Sequence, residues 1–181
     1  MSQVLVPLAD GFEEIEAISV IDLLRRSQIE VTVAGVSGRS AMGAHQIAVQ
    51  TDATLDEVVE RPFDMVVLPG GMPGAQTLRE NGQLAHKIKA MNDEGKWIAA
   101  ICAAPMALAA AGVLVGRRAT SYPGFLDEFE DVRQTGAPVE RDDRIITARG
   151  PGAAMDFALT LIEVLAGKET RDTIEAGLQR P

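Results

Sequence analysis

Cys102 is the only cysteine in the chain, and it stands in the stretch "IAAICAAPMALAAAGVL" (Ile98–Leu114). The residues "KWIAAIC" read as a strand and "PMALAAAGVL" as a helix, so the thiol falls at a tight strand-to-helix turn. Pro105 suits the first helical turn, where its missing N–H is no loss. Ala103 and Ala104 leave room for the chain to bend and for a small substrate to approach. A thiol at a helix start lies near the positive end of the helix dipole, which favours thiolate. The corner has the form of a nucleophile elbow, without the G-x-S-x-G sequence of the hydrolases. Unpaired cysteine is also among the most buried of residue types, so an inert filler at a tight corner fits the same residues. Position and spacing alone leave both readings open.

The nearest candidate partner is a carboxyl group. "GFEEIEA" places Glu13, Glu14 and Glu16 just after the first strand, with Glu13 and Glu16 on one helical face. Glu13 and Glu14 are expected to complement the dipole of the first turn. Glu16 lies deeper, between Ile15, Ala17 and Ile18, where a solvated carboxylate is out of place. "LPGGMPGA" supplies Gly70 and Gly71 at a strand end, where free N–H groups can bind an oxyanion. Gly70 and Gly74 equally suit a tight turn that needs permissive dihedrals. "ARGPGAA" is a second elbow, in which Arg149, Gly150 and Pro151 read mainly as structural, with substrate contact as the lesser alternative. His86 lies on a solvated helix face and His45 before an alternating segment. Two histidines and one cysteine do not make a dedicated zinc site, and no P-loop or G-x-G-x-x-G form is present. No metal and no cofactor are expected.

These residues need a frame that brings them together. "VLVPLA", "EVTVAGV", "DMVVLPGG", "KWIAAIC", "RRATSY" and "RIITARG" read as strands. Between them lie helical patterns at Glu13–Ser27, at "LAHKIKAMNDEG", at "PMALAAAGVL" and at "PGAAMDFALTLIEVLAG", with a short tail beyond. "TLDEVVER" reads as a short helix capped by Thr54, and His45–Thr51 as an edge hairpin. This alternation predicts an α/β fold with a mostly parallel sheet and helices on both faces. Ligands in such sheets bind beyond the carboxyl ends of the strands, where the loops after Ala9, Leu68 and Ile101 converge.

The chain has 181 residues, 46% hydrophobic and 24% charged, which fits a single domain over residues 1–181. Its net charge of −9 argues against nucleic acid or an anionic membrane as partner. One cysteine excludes an intramolecular disulfide and points to the cytoplasm. The start "MSQVLVPLADGFEE" reads as neither a signal peptide nor a membrane span.

"AAICAAP", "VVLPGG", "DGFEEIEA" and "ARGPGAAMDFAL" together resemble the DJ-1/ThiJ/PfpI superfamily, and its DJ-1/ThiJ branch in particular, over nearly the whole chain and in the same order. The resemblance implies a flavodoxin-like three-layer sandwich, a homodimer and a nucleophilic Cys102. It further implies a protonated Glu16 hydrogen-bonded to the sulfur, and an oxyanion hole from the amides of Gly71 and Ala103 beside Gly70. The segment of Arg149 and Pro151 would line the site. Relatives of the protease and chaperone branches place a histidine directly after the cysteine; here that residue is Ala103, so protease activity is not expected. Glutamine amidotransferases need a His-x-Glu that is absent. Some relatives carry histidine where this chain has Tyr122, which leaves proton transfer to Glu16. The implied function is a cofactor-free glyoxalase or protein deglycase, acting on small reactive carbonyl compounds or glycated proteins. The alternative is an oxidative-stress sensor or redox-regulated chaperone that stops at cysteine sulfinate.

Overall fold

A computed structural model describes residues 1–180. The chain opens with β1 (Gln3–Leu8), α1 (Glu14–Arg26) and β2 (Glu30–Gly35), followed by a hairpin of β3 (Ser40–Met42) and β4 (Ala48–Gln50). β5 (Ala53–Thr54), α2 (Leu55–Val58) and β6 (Met65–Leu68) come next, then α3 (Gly74–Glu80) and α4 (Gly82–Asp93). The centre of the sequence forms β7 (Trp97–Ile101) and α5 (Pro105–Ala110). The last third holds β8 (Arg118–Ala119), β9 (Arg133–Gln134), β10 (Val139–Asp142), β11 (Ile145–Ala148), α6 (Ala154–Ala166) and α7 (Lys168–Gly177).

Seven strands form the central sheet in the order β10-β11-β7-β6-β1-β2-β5. All neighbours run parallel except β10, which pairs antiparallel with β11 at one edge. Interior strands are apolar on both faces because both are covered, as "MVVL" of β6 and "WIAAI" of β7 illustrate. Along β1 the period of two sends Val4, Val6 and Leu8 into one core layer and Leu5 into the other. The first layer is closed by α1 and α6, which contribute Leu24, Phe157 and Ile162. The second is closed by α2, α3, α4 and α5 with Leu55, Leu78, Ile88 and Leu108. The result is the expected flavodoxin-like sandwich.

Topology then fixes where a site can form. From β1 the chain builds outward to β2 and β5, then returns to lay β6, β7 and β11 on the other side of β1. The switch point therefore lies between β1 and β6, and the loops at their carboxyl ends diverge to leave a crevice.

Several local expectations are corrected. "RRATSY" contributes only β8, which pairs with β9 outside the central sheet, because the following Ser121 and Tyr122 turn back toward the cysteine loop. The hairpin is likewise separate from the central sheet, and His45 lies in its turn. The last long helix is preceded by a 3₁₀ turn at Pro151–Ala153, and the supposed short tail is helix α7. Helix α3 and strand β10 carry weak local signals and were not expected; α3 begins at a glycine, and the half-buried β10 is an edge. None of the described helices is long and apolar enough to cross a membrane.

Candidate active site

Three consecutive strands of the sheet, β1, β6 and β7, deliver the carboxyl, the glycines and the thiol to one crevice. Cys102 follows β7 directly and is 9% exposed. Its φ of +64° lies in the left-handed region, which a residue with a Cβ adopts only when its surroundings impose it. Two backbone bonds do so. The Cys102 amide donates to the Ala148 carbonyl of β11 at 2.9 Å, and the Cys102 carbonyl accepts from the Tyr122 amide at 2.8 Å. With both flanking peptides pinned, the side chain is forced out of the sheet toward the crevice. The elbow expected from sequence is thus present, and its strain is held by residues about 20 and 46 positions away in sequence.

Glu16 sits in the first turn of α1 and is 0% exposed. Its Oε2 accepts from the Gly70 amide at 2.8 Å, while its Oε1 is buried with no hydrogen-bond partner. Gly70 is the reason the two groups can meet. A Cβ at Gly70 would stand 2.6 Å from Cys102 Cβ, 2.7 Å from Glu16 Oε2 and 2.9 Å from the Ile101 carbonyl. Its need for glycine is one of space; Gly71, with φ +87°, is the position that needs permissive dihedrals. The Gly70 carbonyl in turn accepts from the Glu13 amide at 2.9 Å, which ties the loop after β6 to the start of α1.

Burial pushes the Glu16 carboxyl up to about 7, against the opposing hydrogen bonds from Cys102 and Gly70 and with added help from the Glu13 charge. Burial also pushes the Cys102 thiol up, to about 12, and an ionised Glu16 beside it adds to the rise. The amides of Ala103 and Gly71 reach the sulfur and act in the opposite direction, as an oxyanion-binding pair would. The expectation that the helix start alone would favour thiolate is therefore not met. Helix α5 has six residues, and burial together with the neighbouring carboxylate keeps the thiol raised. Two acids this close share their protons, and a thiolate here requires the proton to rest on Glu16.

The other expected residues lie nearby but apart. Arg149 is exposed, with its amide on the Pro138 carbonyl at 3.0 Å and its guanidinium on the Gly136 carbonyl at 3.3 Å. Arg149 and Pro151 line a cavity of about 570 Å³ with Tyr122, Pro138 and Asp156. Cys102 is not among its lining residues, and the Tyr122 amide is the link between cavity and thiol. Glu13 is half-buried. Glu14 is 6% exposed and is no solvated dipole partner: it anchors the β3–β4 hairpin through the amides of His45 and Ile47 and through the His45 ring. Nothing local in the sequence marks that contact, because its partners lie about 30 residues away.

The sequence profile of the DJ-1/PfpI family matches residues 2–164. The chain belongs to this family. Protein DJ-1 homolog A of Arabidopsis thaliana is 41% identical over 177 residues, covering 96% of this chain and 45% of the relative, so the chain spans less than half of that protein. The glutathione-independent glyoxalase DJR-1.2 of Caenorhabditis elegans is 34% identical, over 94% of this chain and 91% of its own length. The oxidized DJ-1 of Toxoplasma gondii superposes with a TM-score of 0.94 at 40% identity, covering 98% of each chain.

Two measurements test this geometry. Gly70→Ala is expected to fold with a loss of about 1–3 kcal/mol, the usual cost of overpacking, and to cut the alkylation rate of Cys102 at least tenfold; unaltered labelling would refute the packing argument. Removing the thiol in two ways tests the strain. Cys102→Gly should be more stable than Cys102→Ala by about 1 kcal/mol in urea unfolding, because only glycine escapes the left-handed penalty.

Proposed function

We propose that the chain is a cofactor-independent glyoxalase of the DJ-1 type, in which Cys102 is the nucleophile and Glu16 the acid and base. The observation that carries this reading is the buried Glu16 Oε1, which has no hydrogen-bond partner, in a carboxyl group that meets Cys102 across the space a Gly70 Cβ would fill. Two amides, from Gly71 and Ala103, serve a negative charge on sulfur, against one, from Gly70, that serves the carboxylate. For the pair to react, its single proton must rest on Oε1, where it donates to the thiolate; the two amides at the sulfur favour that state and burial of the thiol opposes it.

The chemistry follows. The thiolate attacks the aldehyde carbon of methylglyoxal; a C–S bond forms, and the π electrons pass to the oxygen, which faces the amides of Gly71 and Ala103. Glu16 gives its proton to that oxygen, yielding a hemithioacetal. The Glu16 carboxylate then removes the hydrogen from the former aldehyde carbon to give an enediolate and returns a proton to the adjacent carbon, while the hydroxyl proton passes to that carbon's oxygen, leaving a lactyl thioester on Cys102. Water cleaves the C–S bond, releases lactate and restores the thiol. Glyoxal gives glycolate by the same steps. The same addition to early glycation adducts would make the enzyme a deglycase, with Arg149 and Pro151 in the cavity beside Tyr122 contacting the carrier of the adduct.

A second reading has one specific support, the oxidized state named for the Toxoplasma relative. An accessible thiolate beside a donor can stop at sulfinate and act as a stress sensor. A reducing cytoplasm suits either role, since no second cysteine is present to form a disulfide.

We also propose a homodimer whose contacts include the exposed apolar residues Ile15 (58% exposed) and Ile18 (42%) of α1 and Met42 and Ile47 of the hairpin. Light scattering should find a dimer that Ile18→Asp converts to monomer; a wild-type monomer would refute this assignment.

The decisive assay is turnover of methylglyoxal to lactate. Cys102→Ser and Glu16→Gln should each lose at least a hundredfold, the span of general acid–base catalysis. As pH rises through about 7, the pair loses its first proton. Cys102 alkylation should therefore climb across that range and stay low below it. Removing the carboxyl takes away the proton donor that holds the thiolate, so Glu16→Gln should move the midpoint upward. Lactate formation that survives Cys102→Ser would overturn the enzyme reading. Peroxide-dependent sulfinate at Cys102 with no turnover would favour the sensor.

A further inference from the structure

Thr147 is the one polar residue of β11. The period of two along that strand sends Ile146 and Ala148 into the core layer under α1 and α6, and Ile145 into the other. Thr147 therefore points into the layer closed by α2, α3, α4 and α5, where it is 1% exposed. A hydroxyl buried among apolar side chains costs stability unless a hydrogen bond compensates it. Here Thr147 Oγ1 accepts from the Thr120 amide at 2.9 Å. The steps proposed above use neither residue.

That bond lies at the base of the loop that pins the thiol. β8 ends at Ala119, whose carbonyl accepts from the Thr135 amide at 3.0 Å. Thr120 comes next, and its own hydroxyl is buried without a hydrogen-bond partner, so its amide is what ties the segment to β11. Ser121 Oγ donates to the Tyr122 carbonyl at 2.9 Å, which stiffens the following peptide. Two residues beyond Thr120, the Tyr122 amide donates to the Cys102 carbonyl at 2.8 Å. The Cys102 amide meanwhile donates to the carbonyl of Ala148, the neighbour of Thr147. Both holds on the left-handed Cys102 thus trace to two adjacent residues of β11. Ala148 acts directly through its backbone, and Thr147 acts through its side chain and residues 120–122.

We infer that Thr147 is a positioning residue for Cys102: its hydroxyl, through the Thr120 amide, sets the Tyr122 amide on the Cys102 carbonyl. The inference rests on the reading of Cys102 as the nucleophile. Threonine suits the task because its branched Cβ restricts χ1 and presents the oxygen in one direction. In Thr147→Val the Thr120 N–H would face a methyl group, a buried donor left unpaired, and residues 120–122 would turn to find another acceptor. The hold from Ala148 stays, so the elbow loses one of its two supports. A residue with a Cβ that is held on one side only relaxes out of the left-handed region, and its sulfur shifts in the crevice.

The test compares two amides within one molecule. Hydrogen exchange of the Tyr122 and Cys102 N–H groups is followed by NMR in the full chain, for wild type and Thr147→Val. The variant should lose about tenfold more protection at Tyr122 than at Cys102, the scale of one buried hydrogen bond. Alkylation of Cys102 by a neutral reagent should slow by about the same factor. Thr147→Ser keeps the oxygen and should recover both. Plain loss of stability lowers both amides together, so an equal fall overturns the proposal. So does alkylation as fast as in wild type, or a serine variant no better than the valine one. If Thr147→Val does not fold, Thr147→Ala, which removes the oxygen without placing a methyl group against the amide, is read in the same way. The two questions stay separate: a wild-type thiol inert to the reagent would sink the proposed reaction, while the two amides still decide the positioning role.

Discussion

The left-handed backbone at Cys102 is the constraint from which the rest of the site is built. A residue bearing a Cβ gives up about 1–2 kcal/mol to occupy that region, and only its surroundings can keep it there. Here β11 holds the residue from one side through the Ala148 carbonyl, and the loop after β8 holds it from the other through the Tyr122 amide. Neither partner supplies a reacting group. Each fixes a peptide plane, and the side chain has only one way left to point. The cost is carried by the folding of the whole sheet, so the position of the thiol is set by the fold itself.

A fixed thiol is of little use without control of its proton, and the crevice supplies that through exclusion. Glu16 and Cys102 are both shut away from water, and the absence of a side chain at Gly70 lets them face each other. Each alone is driven to its neutral form by burial. Together they can afford one negative charge, provided amides receive it. The amides of Gly71 and Ala103 sit at the sulfur, and these are the groups that would receive an alkoxide formed beside it. In the proposed reaction the same two N–H groups would serve the thiolate and the first intermediate, which would keep reorganisation small.

Much of this frame was legible in sequence because it depends on local periodicity. Buried runs such as "MVVL" and "WIAAI", separated by helical stretches, specify a parallel sheet covered on both faces. Cys102 at a strand end and Glu16 among apolar neighbours were visible for the same reason. What stayed hidden depends on distant partners. The role of Ala148 and Tyr122 lies in backbone bonds that carry no side-chain signature. Gly70 read as a dihedral requirement, whereas its real constraint is a clash with two residues that the fold brings from elsewhere. Helix α7 has few apolar residues and none that is buried, with Ile174 only half-buried against the core, so its polar composition reads as a tail.

The three glutamates show how one turn of helix can assign three fates to one residue type. The 3.6-residue period points Glu16 into the crevice, where water is excluded and its proton is retained. Glu14 faces the hairpin instead, where the His45 and Ile47 amides and the His45 ring hold its carboxyl below the ordinary range although burial acts the other way. Glu13 lies between these environments, half-buried, within reach of His45 on one side and electrostatically of Glu16 on the other. Glu14 and Glu16, in one helical turn, are therefore shifted in opposite directions, by the donors that Glu14 meets and by the deeper burial of Glu16. Composition cannot decide that, since every donor comes from a segment that the topology, not the sequence neighbourhood, brings to the start of α1.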